Sequence, residues 1–116
     1  MIHQREIEIL NILFGSEIAL TSTDIVEQGN RLSQSTVQAV LRKLLKEGFV
    51  IVEGVTHSGN VLSRTYKPTE VAREAVKNQY IENYKSIMNI VPINDLLEEF
   101  KNMKEGRITN YARCSK

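Results

Sequence analysis

Residues Ser33–Val52 read SQSTVQAVLRKLLKEGFVIV. Val37, Val40, Leu41, Leu44 and Leu45 recur at i, i+3, i+4, i+7 and i+8, the spacing that gathers one apolar stripe along an α-helix. Ser33 stands where an N-cap hydroxyl accepts from the first turn, and Gly48 stands where helices stop. The remaining face carries Gln34, Ser35, Gln38, Arg42, Lys43 and Lys46, all polar or basic, with no acid before Glu47. Taken alone this is an amphipathic surface helix, although such a hydrogen-bonding, cationic face also suits a DNA major groove. The next segment decides between the two readings. From Phe49 the period changes from helical to extended: Phe49-Val50-Ile51-Val52 reads as a strand, Gly54–Asn60 is rich in turn residues, and Val61–Lys67 returns as the partner strand. Leu62, Arg64 and Tyr66 share one face of that second strand. A polar-basic helix followed by a hairpin, with its tip at Thr56–Asn60, is the third helix and wing of a winged helix.

The flanking chain completes the pattern. Residues 3–14 predict a first helix with a stripe of Ile7, Leu10, Leu13 and Phe14, and Ile18–Leu20 predicts a minor strand. Thr21, with Asp24 three positions on, is a capping-box start for a short helix over Ser22–Gln28, closed by Gly29-Asn30. Two helices joined by a tight, glycine-containing connection form a helix-turn-helix. After Pro68, Thr69 caps a helix expected to run to Val91, where Pro92 stops it, and a last helix opens at Asn94-Asp95. The expected fold is therefore mostly α with a small β-hairpin: a winged helix-turn-helix over residues 1–68, two dimerisation helices over 69–106 and a loose tail over 107–116. The apolar positions Val76, Tyr80, Tyr84, Ile87, Met88, Leu96, Leu97 and Phe100 have no evident partner within a core of this size, and a second copy of the chain would cover them.

Charge is distributed unevenly. Residues 1–30 carry one base against five acids, a net −4, whereas residues 31–67 carry six bases against two acids, a net +4. The basic excess thus falls on the helix and hairpin that would meet phosphates. No apolar run approaches the roughly 20 residues that span a bilayer, and the N-terminus lacks an export signal. A lone Cys114 forms no internal disulfide, as suits a reducing cytoplasm. His3 and His57 are too few for a metal site, and no glycine-rich phosphate loop, paired-carboxylate pattern or Cys/His nucleophile spacing is present. An enzyme, a resident cofactor, a metal and a membrane partner are therefore not expected.

Within the third helix, Gln38 is the expected base reader, because a carboxamide can pair with adenine N6 and N7 together. Gln34 and Ser35 come next. Thr36 is placed to meet a phosphate, and Arg42, Lys43 and Lys46, late in the helix, are the expected backbone anchors. On the wing, His57 and Asn60 reach towards the minor groove or a phosphate, with Arg64 near the base.

At Ser35–Val50, STVQAVLRKLLKEGFV, the sequence resembles the penicillinase-repressor (BlaI/MecI/CopY) family of bacterial transcription regulators, whose members carry a Thr-Val-x-Thr-Leu/Val-Leu-x-Arg-Leu-x-x-Lys-Gly pattern there. Tyr66-Lys67-Pro68 stands where that family's wing ends, and Glu6, Glu8, Leu10 and Phe14 resemble its opening helix. The resemblance implies a repressor and leaves the signal open, with a sensor protease and a small-molecule inducer as the candidates. Together with the unpartnered stripe, it makes the expectation a homodimer on a palindromic operator in double-stranded DNA. It departs at Leu32, where the family commonly has Trp. It departs again at Glu99-Phe100, where some members are cleaved between Asn and Phe. The multi-cysteine site of copper-responsive members cannot be built from Cys114 alone. PadR and MarR regulators share much of the remaining pattern, so a ligand-responsive regulator of that kind is the alternative. A winged helix used only as a protein-interaction module is a further one.

Overall fold

The computed structural model describes residues 1–58 and 60–104; the tail expected over 107–116, with Cys114, lies outside the described residues. The elements are α1 (Gln4–Phe14), α2 (Ser22–Gln28), α3 (Gln34–Glu47), β1 (Val50–Ser58), β2 (Val61–Pro68), α4 (Glu70–Lys85) and α5 (Ile93–Lys104). The two strands pair antiparallel in one hairpin, giving a winged helix followed by helices.

The core of the N-terminal unit, Met1–Gln79, takes Ile9, Leu10 and Leu13 from α1, Ile25 from α2, Val37, Leu41 and Leu44 from α3, and Val50 from β1. Leu20, Leu32 and Ala72 fill the spaces between elements. The buried α1 stripe differs from the expected one. Glu6, Ile9, Leu10 and Leu13 are buried, while Ile7 is half-buried and Phe14 is 36% exposed. Glu6 completes the i, i+3, i+4, i+7 series, and an apolar-only reading skips it because it is charged.

Helix α3 ends in a Schellman motif. The Phe49 N–H donates to the Leu44 carbonyl at 2.9 Å, the Gly48 N–H to the Leu45 carbonyl at 3.1 Å, and Gly48 takes φ +78°. Thr69 ties the start of α4 to the same junction. Its hydroxyl donates to the Gly48 carbonyl at 2.7 Å and accepts from the Ala72 N–H, and its own N–H donates to the Phe49 carbonyl at 3.1 Å.

The wing is longer than the sequence pattern predicts. The ladder continues to the Ser58–Val61 pair, so residues assigned to a loop are strand. The shift in register between Val52 and Gly54 leaves Glu53 as a bulge, which lets β-prone Val55 and Thr56 resume pairing beyond it. The expected strand at Ile18–Leu20 shrinks to a bridge in which Leu20 and Tyr66 exchange two backbone hydrogen bonds, at 2.7 and 3.1 Å.

Helix α4 stops at Lys85 instead of Val91. The Ser86 hydroxyl captures the Asn83 carbonyl at 2.6 Å, Ile87 N–H bonds back only three residues to Tyr84, and Val91, preceding Pro92, is disfavoured in helix. Its first half belongs to the N-terminal unit: Ala72 is fully buried, Val76 packs on the core, and the Gln79 amide bonds the Ile2 N–H and carbonyl at 2.7 and 2.8 Å. The two compact units of the chain divide after Gln79. Val76, one of the positions expected at the dimer seam, is half-buried against this unit's own core. In the second unit the Tyr84 hydroxyl donates to the Val91 carbonyl at 2.8 Å, pinning the connection between the two helices. No helix among the described residues is long and apolar enough to cross a membrane.

Two substitutions test the backbone reading. Gly48 has open space around its α-carbon, so Gly48→Ala loses about 1 kcal/mol through the left-handed φ alone. Arg31, at φ +62°, is the other left-handed position, and Arg31→Gly gains about 0.5 kcal/mol. Urea denaturation reads both; shifts of the same sign would refute the assignment.

Candidate nucleic-acid interface

The helix-turn-helix is set by its caps. The Thr21 hydroxyl accepts the Asp24 N–H and the Asp24 carboxylate accepts the Thr21 N–H, each at 3.1 Å, a closed capping box on α2. Arg31 turns the chain in the left-handed conformation, Leu32 drops into the core beside Gly29, and the Ser33 hydroxyl caps α3 by accepting the Thr36 N–H at 3.1 Å. With Val37, Leu41 and Leu44 turned inward, the opposite face of α3 must point to solvent. Gln34, Ser35, Gln38, Arg42 and Lys46 are exposed there.

The wing folds back beside that face. A cleft of about 430 Å³ is lined on one side by Gln34, Gln38 and Arg42 of α3 with Ser22 and Thr23 of α2, and on the other by Val61–Arg64 and Tyr66 of β2. The structure therefore brings together Gln34, Gln38, Arg42 and Arg64 from the expected set. It adds Ser22, Thr23, Leu62 and Ser63, which sequence reasoning missed. Ser22 and Thr23 stood in the sequence only within the first turn of α2, yet the Gln34 side chain donates to the Ser22 hydroxyl at 2.7 Å. Leu62 shares the Tyr66 face, as strand alternation predicts, but lies beyond the core and is 63% exposed.

The other expected residues stand outside this cleft. Ser35 is exposed at the helix start, Thr36 is half-buried with its hydroxyl accepting from Ser33 at 2.9 Å, and Lys46 lies in the last turn of α3. His57 and Asn60 sit exposed at the far end of the wing. Lys43 turns away from the others and pairs with Glu6 of α1.

The cleft lining includes two arginines and no carboxylate. Several acids of the first 30 residues are used internally: Glu6 pairs with Lys43, Glu8 accepts the Asn30 N–H at 3.0 Å, and Asp24 closes the capping box. A larger cleft of about 590 Å³ on the other face of the hairpin mixes Glu17 and Glu53 with Lys67 and Arg73. There the Arg73 guanidinium lies 4.8 Å from the Phe14 ring centroid and bonds Glu70 at 2.7 Å. Its acids disfavour a polyanion. No group of three or more candidate metal ligands occurs among the described residues.

No protein-family profile and no curated protein matches the chain. Solved structures do. A PadR family transcription regulator from hypervirulent Clostridium difficile aligns at TM-score 0.52 and 18% identity, covering 72% of this chain and 93% of that one. The adhesin competence repressor AdcR of Streptococcus pyogenes aligns at 0.54 and 18%, covering 97% and 77%. Bacillus subtilis PadR in complex with operator DNA aligns at 0.52 and 16%, covering 90% and 73%. At these identities the likeness establishes the winged-helix fold. It does not single out the penicillinase repressors, for which the specific part of the resemblance is the α3 motif.

The cap on α3 is directly testable. Ser33→Ala costs about 1 kcal/mol in chemical denaturation and Ser33→Asp retains most of it; an unchanged midpoint for the alanine variant would remove Ser33 as the cap.

Proposed function

We propose that this protein is a sequence-specific DNA-binding transcription regulator, acting as a repressor and as a homodimer on a palindromic operator. The observation that carries the reading is the acid-free cleft in which Gln38 lies with Arg42 of α3 and Arg64 of the wing. A carboxamide beside two guanidiniums combines a base-reading group with phosphate-binding or guanine-binding ones. With α3 in the major groove, Gln34 and Ser35 lie at the base-facing end of the helix, Lys46 meets backbone, and His57, Asn60 and Arg64 meet the flanking groove or its phosphates. The reading involves no enzyme activity and no cofactor. The solved neighbours are transcription regulators, one of them with operator DNA, which supports it.

The exposed apolar positions of the second unit support the homodimer. Ile87, Met88, Leu97 and Phe100 are 41 to 54% exposed, as is Tyr80, while Tyr84 and Leu96 are half-covered. A second copy of the same helices would bury these positions and would space two α3 helices for paired half-sites.

Selection from a random duplex pool should return a palindromic site, with no enrichment at low salt sinking the proposal. Gln38→Ala should relax preference at one position per half-site, whereas Lys46→Ala should weaken all duplexes alike and lower the slope of log affinity against log salt by about one. Sedimentation should give a dimer that Leu97→Glu with Phe100→Glu converts to a monomer. A wild-type monomer would refute the assembly.

A further inference from the structure

Glu6 is a buried carboxylate in the N-terminal unit, 4% exposed and one turn before Ile9 and Leu10 on the buried stripe of α1. One of its oxygens accepts the His3 N–H at 2.9 Å and the other receives the Lys43 ammonium. Burial pushes the Glu6 pKa up, but hydrogen bonds from Lys43 and His3 outweigh it, so the carboxyl sits below its ordinary value. The Lys43 pKa is raised, chiefly by its hydrogen bond to Glu6. Glu6 therefore keeps its charge as pH falls until the folded value is reached, and Lys43 keeps its charge as pH rises to its own, so both are ionised at neutral pH.

Lys43 belongs by sequence to the basic face of α3, beside Arg42 and Lys46, which have no carboxylate partner among the described residues. The side chain is 45% exposed, and its ammonium is committed to a buried anion on another helix. A phosphate would have to share that ammonium with the Glu6 carboxylate, against whose charge it would be held, or draw it away and leave Glu6 without its counter-ion. We propose that Lys43 is a positioning residue: clamped to Glu6, it sets how α3 stands on α1 and hence how Gln38 and Arg42 are presented, and it does not bind phosphate. The inference rests on the DNA-binding reading and corrects the anchor role expected from the sequence.

The test compares wild-type protein with Lys43→Met, Lys43→Arg, Glu6→Gln, the Glu6→Gln/Lys43→Met double variant and Lys46→Ala. Melting temperature is one readout. The other is affinity against salt for the duplex that wild-type protein selects, at a temperature where every variant is folded. Lys43→Met should lower the melting temperature by about 5 °C, Glu6→Gln should lower it less because a lone lysine can turn to water, and the double variant should match Glu6→Gln. Lys43→Met should bind the selected duplex about tenfold more weakly with the salt slope unchanged, Lys43→Arg should restore both properties, and Lys46→Ala should lower the slope by about one without changing the melting temperature. A Lys43→Met variant that melts like wild type and loses one unit of slope would overturn the proposal, as would strictly additive melting shifts. If wild-type protein selects no duplex, the DNA-binding reading and the positioning role fall together, and the melting cycle alone still decides whether the clamp exists.

Discussion

The left-handed turn at Gly48 is the constraint on which the rest of the N-terminal unit hangs. It lets α3 end in a Schellman motif, so that Phe49 starts an extended chain directly over the last helical turn. β1 then enters with Val50 buried, and the hairpin returns along α3 until Tyr66 meets Leu20. Thr69 bonds back to the carbonyls of Gly48 and Phe49, so α4 begins at the same point. One residue with φ +78° therefore places the wing, the bridge and the fourth helix relative to the helix-turn-helix.

A second constraint is electrostatic. Among the acids of the first 30 residues, Glu6 is buried against Lys43, and Glu8 and Asp24 each accept a backbone N–H. Folding engages these carboxylates elsewhere and leaves Arg42 and Arg64 over a cleft lined by no acid. An overall charge of +1 thus conceals a locally cationic surface.

Much of this architecture was legible in the chain because local signals agree: the caps at Thr21, Ser33 and Thr69, the stop at Gly48, and the change of period at Phe49 each report on neighbours a few residues away. The misreadings arose where competing local effects or distant contacts prevail. Helix α4 stops early because the Ser86 hydroxyl takes a helical carbonyl, and the wing extends past a bulge that a turn-rich composition disguises. Val76 packs partly against the core of its own unit, a contact that the stripe along α4 does not report by itself.

The sequence by itself determined the order of elements, the polar-basic face of α3 and the segregation of charge, since periodicity, capping and turn chemistry are short-range properties. Only the tertiary structure decided which of those polar groups work together. Ser22 and Thr23 join Gln38 and Arg64 across three elements, a neighbourhood no spacing rule reports. Lys43, indistinguishable from Arg42 and Lys46 along the chain, is separated from them by a carboxylate 37 positions away, buried on α1 because the helix-packing stripe runs through it. The partner of a charged side chain depends on which helix lies against it, and that is set by packing of the whole core.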